Sequence, residues 1–215
     1  HEINQILAEP KAPRMIRRLN DLGILHTIHP ALPWNETLYQ EMQQLDIDQI
    51  HPTWDLPKHT DHLDLEQTLR YLVWLGRLPE EMLRSISSRL RFKSELSKLL
   101  IATSKVNSAL PNILDAPPSE VVHELDKAPR LALYAAYLMN EDEGMREVLW
   151  HYVSKWAEVE PKTNGDDLRE IGLRPSPAYG RILSTLRDAW LDGKVNSLEE
   201  EQALLSALVD EAQQT

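Results

Sequence analysis

Residues 164–183, NGDDLREIGLRPSPAYGRIL, carry the side chains and turns of this chain that are best suited to chemistry. Asp166 and Asp167 form an acid pair that can either ligate a metal ion or cap a helix. Asp167 precedes Glu170 by three residues, which is the spacing of a capping box. We therefore predict a helix cap at Asp167, a short helix with Leu168 and Ile171 pointing inward, and no metal site.

The second half of the same segment has the features of an anion site. Ser176 followed by Pro177 is a typical helix start, so the amides of residues 178–180 open a second helix. Free amides, a helix dipole and the nearby Arg174 can bind a phosphate. Gly180 has no side chain and permits close approach of an RNA backbone or of a neighbouring helix. Phosphate binding and a purely structural hairpin both fit this pattern.

The charge balance restricts the class of partner. The formal net charge is −11, the wrong sign for a protein whose affinity depends on phosphate contacts. Residues 84–105 nevertheless carry six bases and a single acid, Glu95. This basic stripe predicts either a local phosphate-binding surface or ordinary solvated helix faces. Its bases are Arg84, Arg89, Arg91, Lys93, Lys98 and Lys105.

Other reactive groups have simpler interpretations. Four potential metal ligands lie near a predicted helix start: His59, Asp61, His62 and Asp64. The following helix offers no further ligand, so we favour helix capping and solvent exposure over a metal site. The sequence has no cysteine, no Gly-x-Ser-x-Gly elbow and no Gly-rich phosphate loop, so we expect no catalysis by this chain alone. Most of the six tryptophans fall on apolar helix faces; Trp34 and Trp54 lie in predicted loops and are the candidates for exposed base stacking.

Helical periodicity with Gly and Pro punctuation runs through the chain and predicts an all-α fold of about ten helices without significant sheet. The longest apolar runs are too short to cross a bilayer. The chain begins at His1 within a helical pattern, so we expect it to be part of a longer protein.

Two segments resemble one known family. Residues 165–205, GDDLREIGLRPSPAYGRILSTLRDAWLDGKVNSLEEEQALL, are similar to the C-terminal segment of bacterial CCA-adding enzymes and poly(A) polymerases, the tRNA nucleotidyltransferases. Residues 1–32, HEINQILAEPKAPRMIRRLNDLGILHTIHPAL, resemble the neck that follows the catalytic head. The middle matches in helical character and in the run RLRFKSEL, and Ser176 departs from the pattern because the family usually has Gly there.

The resemblance implies an elongated helical array with a neck (1–60), a body (61–160) and a tail (161–215) that grips tRNA. It assigns RNA contact to the body and tail, and contact with the missing head or its nucleotide pocket to three arginines of the neck. Magnesium ions and nucleoside triphosphates are expected in that head, and the location is expected to be cytoplasmic. The RNA-contacting residues are Arg89, Arg91, Lys93, Lys98, Arg174, Ser176, Gly180 and Arg181, and the head-facing residues are Arg14, Arg17 and Arg18.

Two alternatives belong to other classes. The acidic C-terminal helix or an exposed leucine face could dock a partner or a second copy, which makes the chain an interaction scaffold or a homodimer. The pair of histidines at 59 and 62 could instead mark a degenerate His-Asp phosphohydrolase-like domain.

Overall fold

The computed structural model describes residues 2–173 and 176–213. Within these residues the chain forms thirteen α-helices and one two-stranded antiparallel hairpin, and the all-α prediction is confirmed. Two short 3-10 turns lie between α4 and the hairpin, and a π-helical turn, Tyr152–Trp156, continues α10. The elements are α1 (Glu2–Ala8), α2 (Ala12–Asp21), α3 (Ile24–Ile28), α4 (Glu36–Gln44), β1 (His59–Thr60), β2 (Leu63–Asp64), α5 (Leu65–Leu75), α6 (Glu80–Leu90), α7 (Ser94–Ile113), α8 (Pro118–Leu125), α9 (Arg130–Met139), α10 (Glu143–His151), α11 (Gly165–Glu170), α12 (Ala178–Leu191) and α13 (Leu198–Gln213).

Helix α5 lies at the centre of the larger core. Every residue from Thr68 to Leu75 is buried, and α7 and α9 pack against this helix. Its start is fixed by a capping box, in which the Asp64 carboxylate accepts from the Gln67 amide at 2.7 Å and the Gln67 side chain accepts from the Asp64 amide at 3.0 Å. The local sequence thus sets where the helix begins, and its apolar surface sets how deeply it is buried.

Gly76, at the end of α5, lies in tight contact with side chains of α7 and α9. A Cβ atom built there would lie 2.4 Å from the Leu72 carbonyl oxygen, 2.6 Å from Thr103 Cγ2 and 3.2 Å from Met139 Cε. Only a residue without a side chain permits this packing of α5, α7 and α9.

The buried apolar side chains form two separate clusters. The larger one runs from Ile3 to Leu191 and includes side chains of both the predicted neck and the predicted body. The smaller one joins α11, α12 and α13 through Leu168, Leu173, Ile182, Leu186 and Val209. The division at residues 60 and 160 stays a prediction, and the larger core crosses both boundaries, since it also includes Leu191 of the predicted tail.

Two side chains of the tail, Arg187 and Glu201, each make several polar contacts. Arg187 on α12 donates to the Val159 carbonyl at 2.9 Å and to the Asp126 carboxylate at 2.6 Å. Glu201 on α13 is fully buried and accepts from Thr163 Oγ1 at 2.5 Å, from the amides of Lys162 and Thr163 and from the Trp190 indole. Burial alone would raise the pKa of Glu201, but these donors outweigh it and the pKa lies below its usual value.

The described part of the chain contains no helix that is both long and apolar enough to cross a membrane.

Candidate nucleic-acid interface

The corner between α6 and α7 carries the predicted body contacts. Helix α6 ends at Leu90 and α7 begins at Ser94, so the basic run extends from the last turn of α6 through the connecting turn to the fifth residue of α7. The side chains of Arg89, Arg91, Lys93 and Lys98 are all exposed. We call these four residues the basic corner.

Arg91 has an unusual backbone conformation. Its φ is +55°, in the left-handed region where an L side chain costs about 1–2 kcal/mol. The same pair of hydrogen bonds, a Schellman motif, closes α6, α11 and α12, and the other two helices use Gly172 and Gly193 at this position. The hydrogen bonds at α6 run from the Phe92 amide to the Ser87 carbonyl (2.9 Å) and from the Arg91 amide to the Ser88 carbonyl (3.3 Å). An arginine therefore occupies a place that the same chain elsewhere gives to glycine.

The basic corner faces two depressions. Arg91 and Lys93 line a cleft of about 380 Å³ together with Asn4, His62 and Phe92. Lys98 instead lines a groove of about 550 Å³ along α7. The predicted stripe is thus divided between two depressions.

Three further cations of the α7 groove were not singled out as RNA contacts: Arg84, Lys105 and Lys127. Lys98 and Lys105 are seven residues apart, a helical spacing that could have indicated their common face. Glu80 partly neutralises the groove, since it bonds Arg84 at 2.9 Å and lies 3.3 Å from Lys105. The hydrogen bond from Arg84, then that from Lys105, holds the pKa of Glu80 below its usual value.

The four cations of the basic corner differ in whether their side chains already bind a partner. Arg89 uses its Nε to donate to the Ile28 carbonyl at 3.0 Å. Arg91, Lys93 and Lys98 have no side-chain hydrogen bond or ion pair within the described residues. Three of the four members thus keep their full donor sets for a ligand.

Helices α11 and α12 form the tail hairpin, and the cap of α11 lies one turn earlier than predicted. The cap of α11 is Asn164, whose side chain accepts from the Asp166 amide at 2.8 Å, and the Asp167 carboxylate accepts from the Asn164 amide at 2.8 Å. The capping box is therefore Asn164–Asp167, and the prediction that Asp167 is the cap was wrong because Asn164 offers its own acceptor at the same spacing. Leu168 is buried as predicted, and Gly172 has φ +87°.

One inward residue of the hairpin was also assigned wrongly. Ile171 is 48% exposed, because α11 ends at Glu170 and the chain turns before Ile171 can reach the smaller core.

The start of α12 is less open than predicted. The helix begins at Ala178, and Ser176 already occupies two of its amides: its hydroxyl accepts from the Ala178 amide at 3.3 Å and its carbonyl from the Tyr179 amide at 3.0 Å. The prediction of three free amides was wrong for Ala178 and Tyr179, because Ser176 accepts hydrogen bonds from both. Arg174 lies outside the described residues.

Two predicted tail residues remain accessible. Gly180 is exposed, and a Cβ atom built there would meet no atom of the described residues within 4 Å. No neighbouring helix therefore requires its missing side chain. Arg181 is exposed and has no side-chain partner within the described residues.

The three arginines of α2 have different surroundings. Arg17 forms an ion pair with Glu36, and its guanidinium lies 3.6 Å from the centre of the Tyr39 ring. Arg14 and Arg18 are exposed and, in the described part of the chain, have no side-chain partner. Only these two retain free charges for a ligand or a second protein surface.

The histidine segment is a small hairpin. Asp64 caps α5, and His62 Nε2 lies 3.0 Å from Asn4 Nδ2. His59, Asp61, His62 and Asp64 are all exposed. Within residues 2–173 and 176–213, no three His, Asp or Glu side chains are arranged to hold a metal ion. We therefore assign no metal-dependent step to these residues, and magnesium and nucleoside triphosphates stay expectations for the catalytic head.

The loop tryptophans are less available than predicted. Trp54 is 1% exposed and packs edge-on against Tyr134 at 5.0 Å between ring centres. Its predicted exposure was wrong, because the loop folds into the space beside α9. Trp34 is half-buried and lies 6.5 Å from the ring of Tyr39.

These features define a helical protein with an accessible basic corner, exposed residues Gly180 and Arg181 on the tail, and no cluster of three metal-ligating side chains among its described residues. No protein-family model matches the sequence. A curated relative is the A-adding tRNA nucleotidyltransferase of Geobacter sulfurreducens, which is 24% identical over 221 residues covering 99% of this chain and 25% of the relative.

Solved structures share the fold. The Thermotoga maritima CCA-adding enzyme complexed with tRNA has a TM-score of 0.68 at 19% identity, covering 96% of this chain and 50% of that one. A CCA-adding enzyme complexed with ATP has a TM-score of 0.67 at 19% identity, covering 97% and 49%. The resemblance to tRNA nucleotidyltransferases is thus confirmed, and the chain spans a quarter of the curated relative and about half of these solved chains.

Proposed function

We propose that this chain is the helical RNA-binding region of a tRNA nucleotidyltransferase, a class that includes CCA-adding enzymes and poly(A) polymerases, and that the catalytic head lies outside this sequence. The observation that carries the proposal is the basic corner, where three cations of an acidic chain are exposed and unpaired among the described residues. The shared fold with an enzyme solved in complex with tRNA supports this choice of ligand.

The proposed role is positioning of the RNA. Arg91, Lys93 and Lys98 would bind phosphates on the body, and Gly180 with Arg181 would bind the backbone on the tail. Phosphate contacts of this kind fix the orientation of the RNA and carry little sequence information. In the proposed reaction the bond-making groups, magnesium ions and nucleoside triphosphates belong to the head, and a cytoplasmic location follows from the role in tRNA processing.

The outer surface of α2 supports contact with a second protein surface. Met15 is 38% exposed, and Leu22 is 54% exposed on the same face two turns later. Arg18 lies between them on this helix. Exposed apolar side chains beside a free cation are typical of a docking surface, and we propose that this surface packs on the catalytic head. The competing scaffold hypothesis places a partner or a second copy on the acidic C-terminal helix or on an exposed leucine face, such as that of Leu22.

The test is tRNA binding by fluorescence anisotropy between about 50 and 200 mM salt, a range over which phosphate-dominated affinity falls steeply. Lys93→Gln/Lys98→Gln should lower the slope of log K against log salt by about 0.7–0.9 for each lost contact. Lys58→Gln/Lys155→Gln is the matched control, since both lysines are exposed and lie outside the corner. Equal affinity and slope for the two double variants would refute the corner as the RNA site.

A second measurement separates RNA binding from the scaffold hypothesis. Sedimentation of the chain across a concentration series should show a monomer, and Leu22→Asp should leave tRNA affinity unchanged. A concentration-dependent dimer that Leu22→Asp dissociates, together with absent tRNA binding, would favour the scaffold.

A further inference from the structure

The cleft of about 380 Å³ beside Arg91 and Lys93 has apolar as well as charged walls. It lies where α1, the turn of the β1–β2 hairpin and the turn between α6 and α7 meet. Leu90 and Phe92 are only half-buried, so they leave apolar surface open to a ligand. A phosphate alone would not cover this surface. We call the site the Phe92 cleft, and its apolar lining residues are Leu63, Leu90, Phe92 and Leu96.

Phe92 is the single phenylalanine of the sequence and forms the aromatic part of the lining. Its ring packs edge-on against the ring of Tyr71, with 5.0 Å between the ring centres and 72° between the ring planes. Tyr71 is fully buried, so it holds the Phe92 ring from the core side, and Phe92 borders the cleft with its remaining surface. An aromatic ring beside free cations can stack a base and bind the phosphate of the same nucleotide.

The same tyrosine also orders a second part of the lining. The Tyr71 hydroxyl donates to the Asn4 side-chain oxygen at 2.5 Å, and Asn4 Nδ2 lies 3.0 Å from His62 Nε2. An amide nitrogen only donates, so the histidine nitrogen is the acceptor of this bond. Asn4 and His62 both line the cleft. The lining is therefore held in place before a ligand arrives, which lowers the entropic cost of binding.

Backbone strain is concentrated at this cleft. Among the described residues, three that are not glycine have a positive φ: Asp55, Asp61 and Arg91. Two of them, Asp61 and Arg91, line the Phe92 cleft. Strained conformations of this kind cluster at ligand-binding sites. The chain uses Gly172 and Gly193 where α6 has Arg91, so the guanidinium is what the strained residue adds.

We propose that the Phe92 cleft binds one unpaired nucleotide. The base stacks on Phe92 and covers Leu90. Its phosphate binds Arg91 and Lys93, which have no side-chain partner within the described residues. The inference rests on the proposed RNA binding at the basic corner and deepens it, because the bases of a duplex are stacked on one another and closed to Phe92.

The first experiment compares two ligands that carry the same phosphates. Ring-labelled phenylalanine gives NMR signals from Phe92 alone, because the chain has no other phenylalanine. The RNA trinucleotide ApApA should shift these signals to saturation, since a stacked base adds its ring current. An abasic ribose trinucleotide of equal charge should bind about tenfold more weakly, because stacking is lost. Equal dissociation constants for the two ligands would overturn the proposal.

The second experiment uses variants and titration calorimetry. Phe92→Leu keeps an apolar side chain but removes the aromatic ring, so it should raise the dissociation constant of ApApA about tenfold and leave that of the abasic ligand unchanged. Lys93→Gln should weaken both ligands, because it removes a phosphate contact. Trp34→Leu is the matched control, since Trp34 is also half-buried and aromatic but does not line the cleft. A folded Phe92→Leu variant that binds ApApA as the wild type does would refute the site.

Two further arms identify the source of the nucleotide and separate this inference from the proposed function. Displacement of ApApA by AMP at equal or lower concentration indicates a free nucleotide, and displacement only at higher concentration indicates a nucleotide of an RNA chain; both results support a nucleotide site. Binding of tRNA is measured in parallel. If tRNA binds while removal of the bases or of the Phe92 ring changes nothing, only the nucleotide site is refuted. If neither tRNA nor ApApA binds, the proposed function fails as well.

Discussion

Replacing Arg91 by glycine separates stability from function at the basic corner. Arg91 adopts φ +55° at a position that favours glycine, so the exchange removes strain and the guanidinium together. If the arginine serves only the fold, the exchange is neutral or favourable in every assay. If it binds RNA, the exchange stabilises the protein and weakens the complex.

The expected gain in stability is modest. Relief of the left-handed conformation contributes about 1–2 kcal/mol, and the extra backbone entropy of glycine opposes it by about 0.5–1 kcal/mol, which leaves about 0–1.5 kcal/mol. For a chain of 215 residues, the corresponding rise in Tm is up to about 6 °C. The Schellman hydrogen bonds use backbone atoms only, so they persist in the variant.

The expected loss in binding is larger. Removal of one charge-assisted phosphate contact costs about 1.5 kcal/mol, or roughly a tenfold rise in Kd for tRNA. The measurements are calorimetric unfolding and tRNA anisotropy on the same protein preparation, at one salt concentration.

Asp61→Gly is the matched control. Asp61 also has φ +55° and lines the same cleft as Arg91, but its charge is negative. It should give a similar rise in Tm with equal or tighter tRNA binding. An Arg91→Gly variant that is more stable and binds tRNA as tightly as the wild type would refute the assignment of Arg91 to the interface.

Three further predictions address the tail and the core. Gly180→Ala should raise helix stability by up to about 1 kcal/mol, since the added Cβ meets no described atom within 4 Å. The same exchange should weaken tRNA binding if the backbone approaches RNA there. Thermal unfolding measures the first effect and anisotropy the second, and unchanged affinity would remove Gly180 from the interface. Glu201→Gln should destabilise the tail by about 1.5–3 kcal/mol in urea at pH 7, because a charged acceptor of several donors is lost. The pKa of Glu201 is lowered in the folded state. The ionised side chain therefore contributes to the free energy of unfolding above the pKa of the unfolded chain, and this contribution disappears as the pH falls through the pKa of the folded state. The stability difference between wild type and variant should shrink in acid, and a difference that stays constant with pH would contradict this. Gly76→Ala should destabilise the chain by about 2–3 kcal/mol through overpacking, measured as a lower urea midpoint, and an unchanged midpoint would mean that the helices around it can move apart.

Much of the architecture could be predicted from the sequence because helix formation is local. Apolar spacing, the Gly residues after α2 and α11, and Pro79 before α6 act through neighbours within about four residues. The misplaced cap at Asp167 shows the limit of this reasoning: Asn164 and Asp167 both have capping side chains, and only the folded backbone shows which one is used.

The candidate sites depend on residues that are distant in the sequence. The sequence predicts an exposed Trp54, but the fold places Tyr134 and Trp150 beside it. Arg17 and Arg18 are adjacent in a basic run, yet Arg17 is paired by Glu36 and Arg18 is not. No local pattern distinguishes these two adjacent arginines, because Glu36 lies on another helix.

The sequence by itself determined the helical class, the family resemblance and the positions of the basic residues, because periodicity and residue type are written along the chain. Tertiary structure alone decided which of these charges remain available. It placed Arg91 in a left-handed turn and buried Arg70 against the carbonyls of Leu7 and Glu9. The physical reason is that these partners lie on other helices: Glu36 on α4 pairs with Arg17, and the Leu7 carbonyl, some sixty residues away, accepts from Arg70. Chain folding alone brings them together.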